Sequence, residues 1–243
     1  MNKRKILGII ITLIVVIFLI SGFYYFNKTE KPANVNSSQT TLESLMKLEY
    51  IKTDLTDAQK EKYFQDFQVF KKELEEKIAV IETQGNQNET FLYWPLIYLG
   101  GVHRDVGNFA KAQAAFMYAQ KLQPGAFLPY GNLGELYFRY IKDYAKAEEY
   151  YLKAIEIPGP YLEMYYSELY ELYRFFLNDE KKAENILISG SVKYPEQTDI
   201  LANLALHYRQ LQQIPKAIET YKKLLKIYPE SIVAKQALAE LDK

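Results

Sequence analysis

Residues 204–229, LALHYRQLQQIPKAIETYKKLLKIYP, contain the pattern that decides the fold of this chain. Apolar residues recur at helical spacing on both sides of the polar pair Gln212-Gln213, which predicts two amphipathic helices joined by a short turn. The residues that define this pattern are Leu204, Ala205, Tyr208, Ala217, Tyr221 and the closing Pro229. The stretch therefore predicts one helix-turn-helix unit.

The positions of the arginines indicate that this unit is repeated. The chain contains five arginines and 25 lysines, and four of the arginines are spaced 35 residues apart each time. These four, named here the arginine row, are Arg104, Arg139, Arg174 and Arg209. A period of roughly 20 to 50 residues indicates a solenoid of stacked supersecondary units. We therefore expect four repeats over residues 93–231, the second and third with one extra residue before the turn.

The repeats share small, aromatic and proline positions in register. A small residue recurs early in each second helix, where it lets two antiparallel helices approach closely. These residues are Ala112, Ala147, Ala183 and Ala217. Together with the pairs Leu99-Gly100 and Leu133-Gly134 and the prolines that end each unit, they resemble the tetratricopeptide repeat family. The resemblance implies an all-α, right-handed α-solenoid whose first helices line a concave groove for extended peptides.

Helical segments are expected on both sides of the repeats. Residues 42–92 form an N-terminal cap, in which the capping box at residues 56–59 opens a long amphipathic helix. The apolar stripe of that helix comprises Tyr63, Phe67, Phe70, Leu74, Ile78 and Ile81. A coiled-coil seam is the alternative, although about three heptads without sustained charge pairing favour a helix packed on the first repeat. Residues 232–243 form the C-terminal capping helix.

The N-terminus predicts a membrane anchor. Residues 6–26 contain no charged side chain, and at about 1.5 Å per residue they span a hydrocarbon core of roughly 30 Å. The basic residues 3–5 place the N-terminal residues 1–5 in the cytoplasm and the repeats outside it. A cleaved signal peptide is the alternative, but its apolar region would be about 7 to 15 residues long and would end in small residues. The polar residues 27–41 predict a flexible tether.

Composition argues against several classes of function. A net charge of zero, no cysteine and only two histidines disfavour a nucleic-acid footprint, a disulfide framework and a zinc site. His103 and His207 lie in or beside aromatic packing positions, so structural roles are expected for both. The sequence contains no P-loop, nucleophile elbow, HExxH motif or glycine-rich dinucleotide turn. We therefore expect no enzymatic activity, no cofactor, no metal and no small-molecule substrate.

The arginine row is the candidate partner-binding feature. Because the chain otherwise prefers lysine, arginine at these positions predicts bidentate binding of a carboxylate-bearing segment. The resemblance implies that further residues face the groove, namely Trp94, Ile97 and Asp105; Leu128, Gly131, Glu135 and Phe138; Met164, Ser167, Glu171 and Phe175; and Ala202, Leu206 and Gln210. Ion pairing within a helix or between repeats is the alternative, since Glu135 and Glu171 precede Arg139 and Arg174 by about one helical turn.

The sequence thus favours a membrane-anchored, extracytoplasmic scaffold or adaptor that binds protein or peptide segments, acidic ones in particular, in its groove. One alternative is glycan recognition, for which the 22 tyrosines offer stacking surfaces. Another is a non-catalytic structural subunit of a cell-envelope machine. Tyrosine more often fills the space between packed helices, which disfavours the glycan alternative.

Overall fold

The computed structural model describes residues 42–84 and 89–241, and within these ranges every regular element is a helix. The helices are α1 (Leu42–Leu45), α2 (Asp57–Gln84), α3 (Tyr93–Asp105), α4 (Phe109–Leu122), α5 (Phe127–Glu135), α6 (Tyr144–Glu156), α7 (Glu163–Glu171), α8 (Glu180–Lys193), α9 (Thr198–Gln210), α10 (Ile214–Ile227) and α11 (Ile232–Leu241). A short 3₁₀ helix, Glu89–Leu92, leads into α3. The all-α prediction is confirmed.

The helices from α3 to α10 form four consecutive pairs, which we call repeats 1 to 4. In each pair a short turn joins a first helix (α3, α5, α7 or α9) to a second helix (α4, α6, α8 or α10). Each second helix also packs against the first helix of the next pair. At the two ends, α2 packs on α3 and α11 packs on α10. The pairs therefore stack in series around one hydrophobic core.

Three of the four turns are closed by a side-chain cap. The side-chain oxygens of Asn108, Asp143 and Asp179 each accept a hydrogen bond from the backbone N–H three residues later. These bonds satisfy donors that would otherwise be unpaired in the first turn of the second helix. Repeat 4 has Pro215 near the start of α10 instead, where a backbone N–H would be unpaired anyway.

Small residues allow the two helices of a repeat to pack closely. The recurring alanines of the second helices are all fully buried, namely Ala112, Ala147, Ala183 and Ala217. In repeat 2, a Cβ added at Gly134 would lie 2.5 Å from Cδ1 of Tyr151. The predicted role of these positions in close helix packing agrees with this geometry.

The extra residue of repeats 2 and 3 lies inside the first helix rather than in the turn. α5 continues as a π-helical segment, Leu136–Ile141, and α7 continues as a second one, Leu172–Phe176. A π-helical turn accommodates one residue more than an α-helical turn between hydrogen-bonded groups. Lys142 and Asn178 then adopt left-handed backbone conformations, with φ of 62° and 52°, where each chain segment turns. The insertion therefore changes which side chains face the core at the helix end.

An N-terminal strap, defined as residues 42–56, covers the turn of repeat 1. Nε2 of His103 donates a hydrogen bond to the Leu45 carbonyl at 2.8 Å. The backbone N–H groups of Ile51 and Lys52 donate to the Val106 carbonyl at 2.9 and 3.0 Å. The sequence predicts a cap here but not this course, because the bonds that hold the strap join residues far apart along the chain.

The predicted transmembrane segment 6–26 and the tether 27–41 lie outside the described residues. In the part of the chain that the structure describes, no helix has the length and apolar character needed to cross a bilayer.

Candidate partner-binding face

Arg104, in the last turn of α3, links repeat 1 to repeat 2. Its Nη1 donates to Glu135 Oε2 at 2.6 Å, and its Nε donates to Asp105 Oδ1 at 2.9 Å. The Tyr140 ring lies 5.8 Å from the guanidinium carbon. Only 19% of the Arg104 side chain is exposed. Two carboxylates and an aromatic ring therefore surround this guanidinium.

Arg139 makes the corresponding link between repeats 2 and 3. Its terminal nitrogens donate to both oxygens of Glu171 at 2.5 and 2.6 Å, and Nη2 also donates to Glu168 at 2.8 Å. The Tyr151 hydroxyl donates to the same Glu168 at 3.1 Å. Burial raises the pKa of Glu168, although the positive charge of Arg139 opposes that rise. The bidentate fork of arginine is used here within the fold, which explains why lysine is not found at this position.

Arg174 and Arg209 are also paired. Arg174 forms an ion pair with Glu180 at the start of α8, and Nη2 of Arg209 lies 3.1 Å from Glu240 Oε2 on α11. His207 lies beside the first of these pairs, with Nδ1 4.0 Å from Glu180, and burial lowers the pKa of its imidazole. All four members of the arginine row are thus in ion pairs, three of them with the unit that follows.

The pairing within one helix that the sequence left open is not observed. Glu135 and Glu171 pair with the arginine of the preceding repeat, not with Arg139 and Arg174 on their own helices. Stacking places each of these glutamates beside the end of the preceding repeat's first helix, where that helix carries its arginine. Pairing between repeats is therefore the arrangement that the structure shows.

Three residues predicted to face the groove are buried, namely Ile97, Gly131 and Phe138, so that prediction is wrong for all three. Gly131 is covered by the side chain of Tyr165. Phe138 is 2% exposed and Ile97 is 7% exposed. Phe138 lies in the π-helical segment of repeat 2, where it packs edge-on against Phe176 at 4.9 Å between ring centroids. Ile97 lies on α3, which is covered by the cap helix α2. By contrast, Trp94 is 53% exposed, while Asp105, Glu135 and Glu171 are partly exposed and ion-paired.

An apolar band lies on the N-terminal halves of the first helices. We define it by the exposed or partly exposed residues Trp94, Tyr98, Leu128 and Met164. Trp94 and Met164 are each 53% exposed, and Tyr98 is 45% exposed. Tyr165 brings α5 and α7 together there, because its ring packs against Phe127 and its hydroxyl fills the space above Gly131. These exposed apolar side chains are the strongest candidates for contact with a partner.

Stacked aromatic rings form one end of the apolar band. The rings of Tyr98 and of Phe70, on α2, lie 4.5 Å apart with an angle of 15° between their planes. The Trp94 ring lies 6.1 Å from that of Tyr98 at an angle of 28°. The cap helix therefore extends the surface of the first helices beyond repeat 1.

A second ionic network, which the sequence analysis missed, links the second helices. Lys182 of α8 pairs with Glu148 of α6 at 2.6 Å, and Lys216 of α10 pairs with Glu184 of α8 at 3.2 Å. Repeat 1 is not preceded by another repeat, and the strap supplies the carboxylate instead. Oε1 of Glu49 lies 3.2 Å from Nζ of Lys111. The available signal was a Lys-Ala pair near the start of each second helix, at residues 111–112, 146–147, 182–183 and 216–217.

Two segments of the chain match a known family by sequence. The tetratricopeptide repeat family matches residues 129–159 and residues 202–231. These ranges correspond to α5–α6 and α9–α10, which are repeats 2 and 4. These two segments are similar to tetratricopeptide repeats. No match is found among curated proteins.

Solved structures show the same kind of fold. The crystal structure of BtubC (BKLC) from P. vanneervenii is similar, with a TM-score of 0.54 and 16% identity over 74% of this chain and 80% of that one. A crystal structure of MamA is similar with a TM-score of 0.50 and 19% identity, covering 72% of this chain and 96% of the other. At these identities the likeness shows the fold alone.

Lysine substitutions test whether the arginine row has a structural role. We expect the double variant Arg104→Lys and Arg209→Lys to lower the free energy of unfolding by about 1 kcal/mol, because lysine keeps the charge but loses the fork, and because both pairs are partly exposed. Partner binding should be unchanged. Urea denaturation and a binding titration measure the two quantities, and weaker binding at unchanged stability would contradict this prediction.

Proposed function

We propose that this chain is a non-enzymatic scaffold that binds a segment of a partner protein along its first-helix face, defined as the surface formed by α3, α5, α7 and α9. The observation that carries the proposal is the exposure of Trp94 and Met164 in the apolar band. Exposed apolar patches on folded domains mark interaction sites, because covering them with a partner removes apolar area from water. The arginine row is engaged in ion pairs, three of them with the unit that follows, and does not itself offer a free guanidinium.

We also propose that the scaffold is anchored in a membrane and lies outside the cytoplasm. The support comes from the apolar residues 6–26 and the basic residues before them. The strap that follows the tether is bonded to Val106, twelve residues from Trp94 and hence about 18 Å along α3. Trp94 is therefore distant from this attachment at Val106. A reporter fused after Lys243 should be active only outside the cytoplasm, and cytoplasmic activity would contradict the location.

Site-specific photocrosslinking tests the binding surface. A photoreactive phenylalanine analogue at Met164 should crosslink a defined partner in the native envelope, because this position is exposed in the apolar band. The matched control is the same analogue at Val192, which is 76% exposed but lies on the second helix α8. Trp94→Ala should remove the Met164 crosslink. Equal crosslinking from both positions, or crosslinking that persists in Trp94→Ala, would refute the proposed surface.

A further inference from the structure

We propose that the partner segment is basic and apolar, which is opposite in charge to the acidic partner expected from the arginines. This inference rests on the proposed function, since it names the chemistry of the segment that the first-helix face binds. It follows from how charge is divided between the two layers of helices, from the pairing of every arginine on that face, and from two carboxylates, in the first turns of α7 and α9, that form no ion pair within the described part of the chain.

The two layers of helices carry opposite charge. The first helices and their π-helical extensions contain four arginines and no lysine, against the six acidic residues Asp105, Glu135, Glu163, Glu168, Glu171 and Asp199, which leaves −2. The second helices contain eleven lysines and six glutamates, which leaves +5. The chain as a whole has a net charge of zero. This division gives the first-helix face a negative potential that attracts cationic segments.

The arginine row does not reverse this potential. Arg104 and Arg139 each contact two carboxylates, so the charge around each of them is negative overall. Arg174 and Arg209 are each neutralised by one glutamate. An acidic segment would have to displace these carboxylates before it could bind a guanidinium, whereas a basic segment meets no such competition.

Two carboxylates in the first turns of α7 and α9 have no ionic partner among the described residues. Asp199 is the second residue of α9, the position that Trp94, Leu128 and Met164 hold in the other first helices, and Glu163 directly precedes Met164. Among the described residues neither carboxylate forms an ion pair. Their place in the first turn is favoured by the helix dipole, but their charge remains available to a ligand. A lysine or arginine of the segment can pair with them or lie over the Trp94 ring.

Two synthetic peptides of twelve residues test the sign of the charge. They share the same apolar side chains, lack tryptophan, and differ only in carrying four lysines or four glutamates. The full chain is held in phosphatidylcholine nanodiscs, and empty nanodiscs serve as the blank. Trp94 is the single tryptophan, so its fluorescence reports contact with the apolar band directly. We expect the lysine peptide to bind saturably at least tenfold more tightly than the glutamate peptide, and to weaken at least tenfold between 50 and 500 mM salt.

Charge-reversal variants test whether the preference for the lysine peptide arises at the first-helix face. The double variant Glu163→Lys and Asp199→Lys should weaken binding of the lysine peptide at least tenfold. The control Asp54→Lys and Glu219→Lys changes the net charge equally but outside the first helices, and it should change the affinity less than twofold. Circular dichroism establishes that both variants are folded.

Three outcomes would overturn the proposal: tighter binding of the glutamate peptide, equal loss of affinity in the two double variants, or no saturable change in Trp94 fluorescence with either peptide. The proposed function is judged separately by the Met164 crosslink. A crosslink that depends on Trp94, combined with preference for the glutamate peptide, would retain the scaffold and reject the basic partner. Loss of that dependence would reject the scaffold itself.

Discussion

Gly100→Ala is expected to lower the free energy of unfolding by about 2 kcal/mol. A Cβ at this position would lie 2.4 Å from Cε1 of Phe116 and 2.7 Å from its Cδ1. Phe116 is fully buried, so its ring cannot move aside without disturbing the pair α3–α4. The clash outweighs the gain of up to about 1 kcal/mol that alanine brings to a helix interior. Urea denaturation measures the difference.

The adjacent glycine is the matched control. A Cβ at Gly101 would have no heavy atom within 4 Å. Gly101→Ala should therefore raise the free energy of unfolding by about 0.5 to 1 kcal/mol, because only the helix propensity changes. Equal effects of the two substitutions would show that Phe116 does not limit the approach of the helices.

Acidification from pH 7 to pH 4 is expected to remove about 3 kcal/mol of stability through His103 alone. Burial lowers the pKa of His103 from 6.5 to about 4, and its Nε2–H is held by the Leu45 carbonyl. The unfolded chain takes up a proton on this side chain below about pH 6.5, while the folded chain does so only near pH 4. The contribution of His103 to the free energy of unfolding is therefore complete above pH 6.5. It is lost as the pH falls towards 4 and changes little below that.

His103→Gln isolates this contribution. Glutamine retains a side-chain N–H donor for the Leu45 carbonyl but does not titrate in this range. Both proteins are unfolded in urea at several pH values. Because they have the same carboxylates, the contribution of these groups to the free energy of unfolding cancels when the two pH profiles are subtracted. The native chain should lose about 3 kcal/mol more than the variant between pH 7 and pH 4. Parallel pH profiles would mean that His103 becomes protonated in the fold as readily as in the unfolded chain.

Local sequence patterns were sufficient to locate the helices of the cap and of the repeats. The predicted capping box forms, since the Gln59 N–H donates to Thr56 Oγ1 at 3.2 Å and the Thr56 N–H donates to Gln59 Oε1 at 2.9 Å. The helix that follows packs on α3, as expected for a cap helix. These features depend on residues a few positions apart, which is the range over which helical periodicity and capping act.

The candidate site was predicted less well than the fold. Trp94 was expected on the first-helix face and is exposed there, but Phe138 is buried because a one-residue insertion is absorbed by a π-helical segment. Counting residues identifies an insertion but not the turn that accommodates it. The strap was missed for a similar reason, since its bonds to Val106 are made by backbone groups.

The sequence by itself determined the order of the helices, the number of repeats and the small residues where helices meet, because each follows from spacing within one unit. Only the tertiary structure decided what the arginines do. Arg104 meets Glu135, 31 residues later, and Arg139 meets Glu171, 32 residues later. Such pairs exist because stacking brings one turn of each helix beside the next repeat, where a carboxylate of that repeat neutralises the arginine.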